Sequence, residues 1–207
     1  MTNRITIPAE DVTLEAVLTE GDPALAGVVA HPHPLYGGSM HNNVVDAASQ
    51  GLEDAGWTSL KFNFRGVGRS TGTHGDGIGE QIDLAACAAY LRQQGAERVV
   101  VIGYSFGAHV AAFAWERLAA LGVEPLILVA PPAAFMDFNG LSAKTRVGLM
   151  ICGQHDQIAP PEMATDIGKK LDIPAEPRIL AGADHFFSGY EGQIADIIAE
   201  HLNGLPR

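Results

Sequence analysis

From about residue 26 to residue 180 the chain keeps repeating one unit: a short, almost unbroken apolar run, then a loop, then a stretch with helical spacing. The runs are AGVVA, WTSLKFNF, RVVVIG, PLILVA, VGLMICG and PRIL. A strand with an apolar residue at every position is covered on both faces, which is the habit of parallel sheets flanked by helices. The helical stretches are residues 42–55 (Val44, Val45, Ala48 and Leu52 on one face), 80–95 (closed by Gly95), and FGAHVAAFAWERLAALG, read as one helix. A fourth opens at Pro160-Pro161 and ends near Leu171, and a last one carries Ile194, Ile197, Ile198 and Leu202. RITIP and VTLEAVL add an N-terminal pair with period-two patterning. The expected fold class is α/β: a mostly parallel, doubly wound sheet with helices on both faces, in one domain spanning residues 1–207. In such sheets ligands sit beyond the carboxyl ends of the strands. The loops of interest are therefore 31–38, 65–79, 103–107, 131–146, 153–160 and 182–190.

Composition narrows the function classes. A formal charge of −11 and the lack of any basic run argue against nucleic-acid or anionic-membrane partners. No apolar stretch is long enough to span a bilayer, and MTNRITIPAEDV lacks the apolar centre of a signal peptide, so a cytoplasmic protein is expected. Cys87 and Cys152 read as two reduced, buried thiols.

One loop carries chemistry. In VVVIGYSFGAHVAA, residues 99–112, a strand runs into Gly-x-Ser-x-Gly and straight on into a helix. That is a nucleophile elbow, in which a sharp turn lifts the Ser105 hydroxyl above the sheet while the flanking glycines let strand and helix approach. A serine needs a base within reach and a third group to orient that base, and on this elbow the chain order is Ser, then Asp or Glu, then His. CGQHDQIAP and GADHFF supply Asp156 and His185 in that order, each after a strand. Asp137 and Asp184 are rival acids, and His155 and His201 rival bases. Of two oxyanion donors, one is expected from Phe106 at the helix N-terminus and the other from HPHPLYGG. There Leu35, or failing that Tyr36, is the candidate, because Pro32 and Pro34 have no N–H.

These motifs together, His-Pro-His-Pro followed by Gly-Gly, then Asn-Phe-Arg-Gly-x-Gly-x-Ser, then Gly-Tyr-Ser-Phe-Gly, resemble the small lidless prokaryotic serine hydrolases of the α/β-hydrolase superfamily. The chain is also similar in size to dienelactone hydrolases, whose nucleophile is a cysteine. The resemblance covers nearly the whole chain and implies Ser105 as nucleophile, Asp156 as acid and His185 as base. It implies hydrolysis of a small carboxylic ester or thioester through an acyl-serine intermediate, without a cofactor or metal. A peptidase or acyltransferase with the same triad, and a non-catalytic binding protein on the same fold, are the alternatives.

The other conspicuous residues have structural readings. His31 and His33 have a zinc-compatible spacing, but one imidazole holding the oxyanion loop by backbone bonds explains them better. GVGRSTG fails the dinucleotide spacing at Thr71. Arg65 and Arg69 are expected to bond loop carbonyls, and Glu80 and Asp83 to favour a helix N-terminus by charge. His41, His74 and His109 are lone histidines. Tyr36, Phe135, Phe138 and Phe186 are candidate pocket residues for the small-molecule substrate, with Phe187 and Tyr190 in the same loops. The stretch 131–146 is too short for a helical lid, which implies a shallow, open pocket.

Overall fold

The period-two N-terminus folds as a hairpin of β1 (Thr2–Ala9) and β2 (Val12–Thr19) in a computed structural model that describes residues 1–171 and 176–206. The remaining strands are β3 (Asp22–Ala30), β4 (Trp57–Phe62), β5 (Arg98–Tyr104), β6 (Leu126–Val129), β7 (Val147–Gly153) and β8 (Arg178–Leu180). They form one eight-stranded sheet in the order β1-β2-β4-β3-β5-β6-β7-β8. Strands β3 to β8 pair in parallel, and the β1–β2 hairpin joins them antiparallel through β4.

Strand β5 shows why its sequence is apolar at every position. Val99 and Val101 face one core, Val100 and Ile102 the other, and all four are buried. Helices α1 (Asn43–Asp54) and α6 (Glu191–Asn203) cover the second face. Helices α2 (Ile78–Gln93), α3 (Phe106–Phe113), α4 (Trp115–Ala120) and α5 (Pro161–Lys170) cover the first. Local signals set several starts: Asn42 Oδ1 accepts the Val44 N–H ahead of α1, and Pro161 opens α5. The stretch expected as one helix after Ser105 is interrupted at Ala114 and becomes α3 and α4. Among the described residues, no helix is long and apolar enough to cross a membrane.

The loop 63–77 is tied down by charge. Arg65 donates Nη2–H to Asp83 Oδ1 at 2.8 Å and its backbone N–H to Asp83 Oδ2 at 3.0 Å. Arg65 thus bonds a carboxylate rather than loop carbonyls, and Asp83, fully buried inside α2, pairs with arginine rather than serving the helix N-terminus. Arg69 contributes its backbone N–H to Glu15 Oε2, which also accepts from Asn63. Glu80 does sit in the first turn, accepting the Gly75 and Gly77 N–H groups at 2.8 Å each.

Candidate active site

Ser105 stands between the last residue of β5 and the first of α3, with φ 53° and ψ −117°. A non-glycine residue there is strained and persists only where its surroundings hold it. Its N–H donates to the Val129 carbonyl at 2.9 Å, and its own carbonyl accepts from Ala108 and His109. Glycines flank it for a steric reason. A Cβ at 103 would run into the Gly107 carbonyl, and one at 107 into the Ala30 carbonyl, so strand and helix approach backbone to backbone.

Two further loops deliver the partners. His185, after β8, accepts the Ser105 hydroxyl at Nε2 (3.0 Å) and donates Nδ1–H to Asp156 Oδ2 (2.8 Å). Asp156, after β7, has its other oxygen held by the Ile158 and Ala159 N–H groups at 2.8 and 2.7 Å, which leaves Oδ2 aimed at the imidazole. The three side chains are buried, and Ser105 keeps 7 % exposure at the cavity floor. An imidazole held in this tautomer by a carboxylate can accept the serine proton.

The rivals lie elsewhere. Asp137 is exposed and caps the Asn139 N–H, and Asp184 is exposed and caps the Phe186 N–H. His155 is exposed, and His201 sits in α6 beside Gly148, below the sheet's carboxyl edge. The sequence reading missed Tyr104, whose hydroxyl donates to the His185 carbonyl at 2.9 Å. Burial pushes its phenol well above the usual range, so it stays a neutral donor. It also missed Asn43, whose side chain donates to the Phe186 carbonyl and ties the histidine loop to α1. Tyr104 lies inside the Gly-Tyr-Ser-Phe-Gly motif, but its partner is 81 residues away in sequence.

The loop after β3 corrects one expectation. The Leu35 N–H is spent on His33 Nδ1 (3.2 Å), and the Tyr36 N–H on the His33 carbonyl (3.1 Å). The Leu35 side chain is 70 % exposed and does not line the cavity. These bonds close a single 3-10 turn over Pro34–Tyr36 that turns both N–H groups inward on the loop itself. Among the described residues, neither the Phe106 N–H nor the His33 N–H donates to another group, and both residues line the cavity with Ser105. His31, fully buried, donates Nδ1–H to the Pro32 carbonyl (2.6 Å) and accepts the Phe64 N–H at Nε2 (3.1 Å). Both its nitrogens serve backbone, so it pins the loop and has no lone pair for a metal.

Above the serine lies a cavity of about 500 Å³, within the size range of small-molecule sites. Tyr36, Phe135 and Phe186 line it, with Pro132, Met136 and Ile158 adding apolar wall that the sequence reading did not single out. Among the described residues, no Lys, Arg, Asp or Glu lines it. Phe138, expected in the pocket, is instead buried with Ala112 and Ile167, edge-on to His109. It anchors the β6–β7 loop because its ring finds a dry slot between α3 and α5.

Comparison with known proteins agrees with this architecture. Residues 33–147 match the family model described as alpha/beta hydrolase fold. An uncharacterized protein of Rickettsia prowazekii is 34% identical over 185 residues, covering 84% of this chain and 77% of that protein. An alpha-beta serine hydrolase homologue from Coxiella burnetii superposes with a TM-score of 0.86 at 30% identity, over 97% of both chains. XC6422 from Xanthomonas campestris, described as an a/b serine hydrolase without lid, gives 0.85 at 31% identity over 100% of this chain and 96% of its own. With its sheet order, its elbow and more than half its length matched by the family model, this chain belongs to the alpha/beta hydrolase fold family.

Proposed function

We propose that the protein is a serine hydrolase that cleaves a small, neutral carboxylic ester or thioester through an acyl-Ser105 intermediate. The observation that carries this reading is the line Asp156–His185–Ser105, with contacts of 2.8 and 3.0 Å, opening into an uncharged cavity. His185 Nε2 takes the hydroxyl proton as Ser105 Oγ attacks the carbonyl carbon. The carbonyl π pair moves onto oxygen, where the Phe106 and His33 N–H groups receive it. Collapse of that intermediate expels the alcohol or thiol, which takes the proton back from His185. Water then repeats the sequence on the acyl-serine, releasing the acid. Asp156 keeps Nδ1–H in place and stabilises the imidazolium. The cytosol is the proposed compartment, consistent with two buried cysteines that form no disulfide.

A fluorophosphonate should label Ser105 covalently, and Ser105→Ala should abolish both labelling and turnover in a screen of ester, thioester and amide substrates. A label found by mass spectrometry on Ser39 or Ser70, or a labelled enzyme that hydrolyses no ester or thioester in the screen, would sink the reading.

A further inference from the structure

The β4–α2 loop places a third ring against the two residues that carry the free N–H groups. His33 and Phe106 pack ring to ring at 4.6 Å. His74 packs on both, 5.1 Å from the His33 ring and 5.6 Å from that of Phe106. Two carboxylates stand behind His74. Its Nδ1 lies 2.9 Å from Glu80 Oε1, off the axis of a straight hydrogen bond, and its Nε2 lies 3.5 Å from Asp76. Glu80 is fully buried, and its two oxygens are fixed by the Gly75 and Gly77 N–H groups. Among the described residues, the only Lys, Arg or His side chain within 4 Å of its oxygens is that of His74.

We propose that His74, packed against the buried Glu80 carboxylate, is a positioning residue for the oxyanion hole. It wedges the His33 and Phe106 rings so that their backbone N–H groups stay convergent on the substrate oxygen. The inference rests on the acyl-serine reading given above. The physical basis is preorganisation: donors in an oxyanion hole stabilise the developing charge only if they are in place before it forms. The donors come from separate loops, after β3 and after β5; the pairing of Ala30 with Gly103 fixes the roots of those loops, and among the described residues the His33–Phe106 ring contact joins their ends, where no hydrogen bond links the two residues. His33 Nδ1 is already committed to the Leu35 N–H, which fixes the ring on its own loop and makes it a rigid face for His74 to press on. His74 itself does not line the cavity. Because His74 stands outside the cavity, its removal acts through the placement of the two N–H groups, whose bonds matter most as charge develops on the substrate oxygen.

The test uses His74→Ala in the full chain, with p-nitrophenyl acetate and a trifluoromethyl ketone whose hemiketal oxygen occupies the hole. A misplacement of about 1 Å at a reacting centre costs on the order of 10²-fold, so kcat should fall by roughly ten- to a hundredfold with KM within about twofold. The inhibition constant of the ketone should weaken in step with kcat. If His74→Ala does not fold, His74→Gln, which keeps a polar side chain without the ring, carries the same measurement. Unchanged kcat in a folded variant, or a fall in which KM moves and ketone affinity does not, overturns the proposal. A wild-type protein that neither turns over the ester nor binds the ketone overturns the acyl-serine reading itself, and this inference with it.

Discussion

Ser105 holds a backbone conformation that costs of order 1–3 kcal/mol, and its neighbours show how the fold tolerates it: two glycines, a bond from its N–H to Val129, and the start of α3. Strain of this kind belongs where a side chain must be presented, and here it presents one hydroxyl to one imidazole. At the same scale the two candidate acids separate sharply. Asp156 is 3 % exposed and bonded to His185, whereas Asp137 is exposed and bonded to its own loop. Losing the orienting carboxylate in a triad typically lowers turnover by about 10⁴. Asp156→Asn should show a loss of that order, while Asp137→Asn should stay within a few-fold of wild type in the same kcat assay. The opposite pattern would move the acid to the loop after β6. In sequence Asp156, Asp137 and Asp184 were all loop aspartates near strand ends. Only side-chain direction, set by which N–H groups grip each carboxylate, told them apart.

At the scale of elements, the β6–β7 connection decides access to the site. It contains no helix between residues 130 and 146, and its Phe138 is folded inward between α3 and α5. His109 donates Nε2–H to the Asp137 carbonyl, so α3 itself holds this loop down as a wall. Phe135, 74 % exposed, and Tyr36 and Phe186 stand at the rim with nothing above them. Each methylene that the wall covers contributes about 0.8 kcal/mol, close to fourfold in kcat/KM, and methylenes beyond the rim contribute little. Across p-nitrophenyl esters of increasing acyl length, kcat/KM should rise and level off by about six carbons on that burial argument. It should not jump as the substrate passes its micelle concentration. A steady rise through long chains would require cover that this loop does not provide. The absence of a lid was legible from loop length alone, because a helical domain needs residues that 131–146 lacks. That Phe138 turns away from the cavity was not legible, since an aromatic residue in a loop reads the same whether it faces ligand or core.

At the scale of the molecule, the His31 pin under the loop after β3 makes stability depend on pH. Burial lowers His31 to about 4, against about 6.5 for an ordinary histidine. The sign follows from proton binding. Below pH 6.5 the unfolded chain takes up a proton that folded His31 refuses, so stability present at neutral pH is lost as the pH falls. The loss is complete near pH 4, where folded His31 protonates too. A gap of that size corresponds to roughly 3 kcal/mol. The urea midpoint should drop between pH 7 and pH 4.5, and His31→Gln should flatten that window; an identical slope in the variant would rule His31 out as the cause. The sequence by itself determined the sheet of alternating units, the elbow at Ser105 and the chain order of its partners. Those follow from periodicity and steric need, which are local and survive in one dimension. The tertiary structure decided what depends on direction: the Leu35 N–H turned onto His33, the Arg65–Asp83 pair, the Tyr104 bond to the histidine loop, and the His74 ring against His33 and Phe106. Each joins residues from separate loops that meet only because parallel strands bring their carboxyl ends to one edge, and no spacing along the chain encodes which atom of a loop will face inward there.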